Sequence, residues 1–197
     1  SGPIAFKTLC NNVTAFVQNF DGVTSPAMPT CWEKVGALGS CTTSTATPVG
    51  SAPNVIYFYG TATSAPTMRM QPVSNLGAGT HRLKFHSFYP GDVQIGTLNN
   101  NDPNTAVFTP LQTVSLVGNG SLQVINFTGY TGTNTYIGIR LVPNQDLLPS
   151  INLDNIIWEP IPLCSDVTNV TAVPGATTAT ISWTFGGASE TSWQVAV

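Results

Sequence analysis

Charge is what this chain has least of. Only 8% of its 197 residues are charged, six basic against nine acidic, giving a formal net charge of −3. So few cations cannot neutralise a run of phosphates, which disfavours nucleic acid as a partner. Nothing basic and amphipathic marks a membrane-surface helix. Long apolar runs are missing as well: Tyr136 to Val142 and Ile156 to Leu163 are broken by Gly, Arg, Glu or Pro. Both fall short of the roughly 20 residues of a membrane helix, so no membrane insertion is expected. Histidine is limited to His81 and His86, and the four cysteines, Cys10, Cys31, Cys41 and Cys164, include no Cys-x-x-Cys pair. A zinc site is therefore disfavoured.

What the chain has instead is hydroxyls, turn residues and apolar side chains. It carries 27 threonines, 18 glycines and 15 prolines, and 42% of its residues are hydrophobic. That apolar share can build a core and argues against disorder. The start, Ser1-Gly2-Pro3, reads as an internal cut, so the lack of a signal peptide says little about export. Four Asn-x-Ser/Thr sequons, at Asn12, Asn119, Asn126 and Asn169, are expected by chance in so threonine-rich a chain.

Short stretches of apolar alternation recur between Gly, Pro, Asn and Asp clusters, the rhythm of antiparallel strands and tight turns. The stretches are Ala15 to Phe20, Asn54 to Tyr59, Met68 to Val73, a strand through Leu83 and Phe85, one through Val93 and Ile95, Ala106 to Leu116, Leu122 to Phe127, Tyr136 to Val142 and Ser150 to Trp158. Leu83 and Phe85 fall on one face, Arg82, Lys84 and His86 on the other, as in a sheet with one buried side. These strands suffice for two stacked sheets, and no helix is expected.

Cys31 and Cys41 are close enough to staple the loop after Trp32, and closing a loop of about 10 residues would contribute roughly 2–3 kcal/mol on the chain-entropy model. Cys10 and Cys164 sit at inferred domain edges, where they bridge each other or pair with cysteines outside this chain. An enzyme needs a nucleophile with its base, or paired carboxylates. His81 and His86, five apart on one strand, face opposite ways. His86 with Asp92 and a serine makes a triad only on paper, because no positional signature such as Gly-x-Ser-x-Gly is present. The acids Asp92, Asp102, Asp146, Asp154 and Glu159 mostly fall in loops. No catalysis is expected. The segment Asn99 to Asn104 is oxygen-rich but holds a single carboxylate, and reads as a hairpin loop. For ligand binding the candidates are Tyr57 and Tyr59, which share one strand face as a stacking platform or as core, and Phe88 with Tyr89 at a strand end, with Tyr130, Tyr136 and Trp158 behind them.

One pair of segments points to a family. Phe20-Asp21-Gly22 running on to Cys31-Trp32, with Ile151-Asn152-Leu153-Asp154-Asn155-Ile156 far downstream, resembles the opening and closing strands of the cleaved-adhesin, MAM-like (choice-of-anchor J type) jelly roll of Bacteroidetes surface proteins. After Pro160-Ile161-Pro162-Leu163-Cys164, the stretches Val167 to Val173, Thr178 to Trp183 and Ser192 to Val197 look like the first three strands of a fibronectin type III domain. Gly2 to Thr8 resembles the last strand of another. The resemblance implies an all-β chain: residues 1–11 closing a preceding fibronectin type III domain, 12–161 an antiparallel jelly-roll β-sandwich, and 162–197 an incomplete fibronectin type III domain, too short to fold alone.

Calcium follows from the same resemblance, since jelly rolls of this kind commonly hold it where the opening strand meets the closing one. Asp21 and Asp154 match the acidic positions, and Asn54 begins the strand after the long loop, where relatives often have a ligand. With backbone carbonyls these supply oxygen donors of the kind calcium takes, roughly six to eight at about 2.3–2.6 Å. Gln18, where relatives have an acid, lowers the available charge. Asp154 alternates with Leu153 and is expected to point away from it. The alternative needs no metal: Asp21 forms an Asx-turn with Gly22, and Asp154 anchors a buried hydrogen-bond network.

The family serves as adhesins, haemagglutinin-like regions or accessory modules of large proteins often exported by the type IX pathway. The resemblance therefore implies a noncatalytic, calcium-stabilised extracellular or cell-surface adhesion module. Its partners would be a glycan or surface protein and the neighbouring domains of its own polypeptide. The other readings are an accessory carbohydrate-binding module of a secreted hydrolase and a structural spacer repeat in a surface filament.

Overall fold

In the computed structural model, the structure describes residues 10–36, 39–61, 63, 66–142, 150–162 and 167–184. The expected terminal strands at Gly2 to Thr8 and Ser192 to Val197, with Cys164 and Asp146, lie outside them. The chain divides into two compact units, 1–160 and 161–197.

Among the described residues the first unit is a sandwich of two antiparallel sheets. One sheet has the order β3 (Ser40–Ser44), β4 (Val55–Tyr59), β11 (Ser150–Pro160), β6 (His81–Ser87), β9 (Ser121–Asn126). β1 (Phe16–Gln18) joins it on the second half of β11, pairing Phe16 with Trp158, while β4 pairs with the first half. The other sheet runs β2 (Glu33–Val35), β5 (Thr67–Arg69), β10 (Tyr136–Leu141), β7 (Pro90–Leu98), β8 (Phe108–Val117). Ile56 and Phe58 of β4, Leu83 and Phe85 of β6, Ile95 of β7 and Ile137 and Ile139 of β10 meet between the sheets, all fully buried. Period two explains this: alternate residues face the other sheet, and those are the apolar ones. Trp158 closes one end, edge-on to Phe127 and stacked on His81, its indole N–H donating to Asn75 Oδ1 at 2.9 Å.

β11 changes face once. Ile151 and Leu153 point inward; a bulge follows between Asp154 and Ile157, with Asn155 at φ 50°, and Ile156 and Trp158 then point inward. The extra residue re-phases the alternation, as a bulge does.

Three features depart from the sequence reading. β2 and β3 are real strands, although Glu33-Lys34-Val35 and the hydroxyl-rich Ser40 to Ser44 carry little hydrophobic alternation; β3 holds its place by pairing Cys41 with Phe58 and Thr43 with Ile56. A one-turn 3-10 helix, Leu76–Ala78, stands where no helix was expected. The disulfide is also different: Cys10 joins Cys31, with Cα atoms 5.8 Å apart, and Cys41 is a free, buried thiol. The expected Cys31–Cys41 staple is thus corrected. Cys41 lies on β3 with its side chain in the core, so a neighbour in sequence is not the neighbour in space. Desolvation there pushes its thiol well above the ordinary range.

The described part of the second unit is a hairpin of β12 (Thr168–Pro174) and β13 (Ala179–Thr184).

Candidate functional site

The outer face of the β4–β11–β6 sheet carries most of the expected site residues, and β11 is its spine. Asn152 and Asp154 alternate with Ile151 and Leu153 and so point outward, yet both are fully buried. A loop covers them. Asn152 Nδ2 donates to Ala46 O at 3.2 Å and to Pro48 O at 3.3 Å. Asp154 Oδ2 accepts Gly50 N at 2.9 Å, Ser51 N at 2.7 Å and the Ser51 hydroxyl at 3.3 Å, and Oδ1 accepts Asn155 N at 2.6 Å. The segment between β3 and β4 is thereby strapped across the sheet by two side chains more than a hundred residues away in sequence. Burial raises the Asp154 carboxyl above its ordinary value, against the lowering effect of these donors.

The aromatic candidates flank this strap. Tyr57 stands in register with Asn152, and Tyr59 with Ser150; both tyrosines are half-buried on the outer face, opposite Ile56 and Phe58. They are not part of the inter-sheet core. On the other side Phe88 N donates to Asn152 O at 3.1 Å, and the Phe88 ring lies beside Gly50 and Gly120. A Cβ at Gly50 would stand 2.8 Å from the Asn155 amide and 3.0 Å from an Asp154 oxygen, so glycine permits the close approach. Tyr89, 37% exposed, donates its hydroxyl to Thr47 O at 3.1 Å. Tyr57, Tyr59, Phe88 and Tyr89 are thus brought to one face around one loop.

Asp21 and Asn54 meet at the end of the strap. Asn54 N donates to Asp21 Oδ1 at 3.2 Å, and Asn54 Nδ2 to Val23 O at 2.7 Å and Phe20 O at 3.4 Å. Asn19 Nδ2 donates to Asp21 Oδ2 at 3.0 Å, and Gln18 Oε1 accepts Phe20 N at 2.7 Å. Ser51 links this cluster to Asp154, its hydroxyl within 3.5 Å of Asn19 O. Asn54 Oδ1 is buried with no hydrogen-bond partner, an orphan acceptor of the kind a cation would satisfy. Each Asp21 oxygen and Asp154 Oδ1 accepts a single hydrogen bond and keeps a lone pair for such a role, whereas Asp154 Oδ2 is filled by three protein donors. Among the described residues no group of three or more His, Cys, Asp or Glu side chains gathers, so calcium here would rest on amides and carbonyls beside one or two carboxylates.

The remaining candidates are dispersed. His81 and His86 do face opposite ways: His81 stacks on Trp158, and His86 stands on the outer face in register with Asp154. Among the described residues no hydrogen bond joins His86 to Asp92 or to a serine. Asp102 accepts Asn104 N at 2.9 Å and the Thr105 hydroxyl at 3.1 Å, inside the hairpin loop that joins β7 to β8. No helix among the described residues is long and apolar enough to cross a membrane. Sequence reading missed the strap and Asn152; an amide alternating with Ile151 and Leu153 reads as solvent-facing, and only the covering loop buries it.

The architecture defines an all-β antiparallel sandwich of jelly-roll type. No family model matches the chain, and no curated protein matches its sequence. Among solved structures it is similar to the K1 cleaved adhesin domain of Lys-gingipain from Porphyromonas gingivalis W83, at 12% identity and a TM-score of 0.57, covering 76% of this chain and 99% of that one. It is similar as well to the K2 cleaved adhesin domain, at 15% identity and 0.53, covering 74% and 97%. A family 29 carbohydrate-binding module, CBM29-2, matches at 13% identity and 0.50, covering 75% and 92%. At these identities the likeness is one of fold.

Proposed function

We propose that the chain is a noncatalytic extracellular adhesion or binding module, stabilised by calcium and set among other domains of a larger surface or secreted protein. The observation that carries the reading is the sandwich itself, similar in fold at a TM-score of 0.57 to a domain named as a cleaved adhesin, 99% of which is covered. The Cys10–Cys31 disulfide fits an oxidising, extracellular setting. The β12–β13 hairpin, with Trp183 on its second strand, is read as the beginning of a fibronectin type III neighbour. Action would be multivalent: weak contacts of repeated modules add through effective concentration, with no need for a deep pocket in each.

For calcium, the residues that would hold the ion are Asp21, Asn54 and the Oδ1 side of Asp154, with nearby backbone carbonyls, while Asp154 Oδ2 positions the strap beside them. The support is the orphaned Asn54 Oδ1. Glycan or surface protein would meet the aromatic face of Tyr57, Tyr59, Phe88 and Tyr89. The accessory carbohydrate-binding reading has an observation of its own, the fold shared with CBM29-2, one variant of which is described as complexed with mannohexaose.

The test is a binding screen of the purified chain on immobilised glycans and on cell-surface protein, run alongside hydrolase assays. Saturable binding without turnover supports the module; hydrolysis that survives purification to homogeneity overturns it.

A further inference from the structure

The sandwich is open along one side, where the edge strands β8 and β9 of the two sheets lie across from each other. A cavity of about 240 Å³ enters there, lined by Ile95, Gln112, Ile125, Phe127, Gly129 and Tyr130, with Leu111 and Asn126 at the rim. Its position follows from a local irregularity. β8 carries a bulge at Leu111, between the Ile95–Gln112 and Gly96–Pro110 pairs. Gln112, in register with the fully buried Ile95, belongs to the inward row of β8, whose other members include Val114 and Leu116. An amide therefore stands where the alternation calls for an apolar residue, and it stands exposed. Its side chain has no hydrogen-bond partner among the described residues.

The lining has a definite chemistry. Ile95, Ile125 and Phe127, at most 5% exposed, make an apolar floor. The Gln112 amide can both donate and accept, and the Tyr130 hydroxyl, which accepts Asn134 N at 3.0 Å, keeps its own proton to donate. No charged residue lines the cavity, and none occurs in the sequence between Asp102 and Arg140. An ionic occupant would find no counter-charge, and a wholly apolar one would leave the polar groups unpaired. The volume lies below the roughly 300–1,000 Å³ of pockets that enclose drug-sized ligands, so it suits a single ring.

We infer that this cavity is a binding site for one neutral, methyl-bearing sugar residue, an N-acetylhexosamine or a 6-deoxyhexose. The methyl group would sit on the Ile95–Ile125–Phe127 floor, with hydroxyl or amide groups at Gln112 and Tyr130. The inference rests on the glycan form of the proposed function and gives it a second location, away from the aromatic face.

Saturation-transfer NMR on the full chain tests it, with N-acetylglucosamine, N-acetylgalactosamine, fucose and rhamnose as probes and glucose and mannose as methyl-free controls. The strongest transfer is expected at the methyl protons, and comparison of the two probe classes tells acetamido from deoxy sugars. Gln112→Ala should weaken binding by roughly three- to tenfold, as loss of one hydrogen bond does. Gln112→Trp, which fills the cavity from an exposed edge position, should abolish it at unchanged melting temperature. Equal transfer to glucose overturns the methyl assignment. Methyl-proton transfer that survives Gln112→Trp overturns the site while leaving the proposed function standing, and absence of any glycan binding by the wild-type chain removes both the site and the glycan form of that function.

Discussion

At the scale of single residues, the chain's scarce polar core groups carry the sharpest consequences. Asp154 holds three backbone N–H groups and one hydroxyl, so Asp154→Ala would strand several part-buried donors, each costing up to about 1 kcal/mol. A loss of roughly 3 kcal/mol is expected in urea unfolding, with Asp154→Asn less damaging because one acceptor oxygen survives. His81 gives a pH signature. Burial beneath Trp158 lowers its imidazole below the ordinary 6.5. The unfolded chain therefore binds a proton that the folded chain refuses, so stability is full above pH 6.5 and is lost as pH falls through that value toward the folded pKa. Melting temperatures across this window should show the decline in wild type and a flatter profile in His81→Gln.

At the scale of elements, two glycines set how closely β7, β8 and β10 are covered. Gly96 and Gly138 face each other across β7 and β10, and the Phe108 ring lies over both, with the Arg140 guanidinium 4.5 Å from its centroid. A Cβ at Gly96 would collide with the backbone oxygen of Thr109, whereas at Gly138 the nearest atom is the end of a side chain, Leu98 Cδ1. Gly96→Ala should therefore cost about 2 kcal/mol or more and Gly138→Ala less, read from chemical denaturation. The Cys10–Cys31 bridge ties the segment before β1 to the loop before β2. Cys10→Ala should lower stability by about 2–4 kcal/mol, while the same change at Cys41 removes no bridge and costs only packing. That pair of variants separates the observed connectivity from the one suggested by sequence proximity.

For the whole molecule, the calcium proposal and the independence of the sandwich are the testable claims. If calcium bridges the opening strand and the strap, chelation should lower the melting temperature and added calcium restore it, by mass action on the folded state. Asp21→Ala should abolish that response; a chain whose melting is indifferent to chelator and calcium would leave the hydrogen-bond network as the full account of Asp21, Asn54 and Asp154. A fragment ending at Pro162 should melt at the temperature of the longer chain, because among the described residues the core cluster lies entirely before it.

Much of this was legible in the sequence, because it depends on local period and composition. Alternation at Leu83 and Phe85 placed β6 and its buried face, Ile56 and Phe58 did the same for β4, and Asn and Asp marked the turn at 99–104. The scarcity of charge and the absence of a positioned nucleophile set the classes of function worth weighing. The tertiary structure decided what depends on which distant residues meet. It paired Cys31 with Cys10 instead of Cys41, since β3 turns Cys41 into the core. It buried Asn152 and Asp154, polar residues at outward positions, because the loop between β3 and β4 closes over them. It made strands of Glu33 to Val35 and Ser40 to Ser44, which have no apolar rhythm and are held by the hydrogen bonds of their neighbours. It also left Gln112 exposed on an inward row, since only the separation of two sheet edges opens a cavity there. Period is written in the chain; proximity is settled by packing.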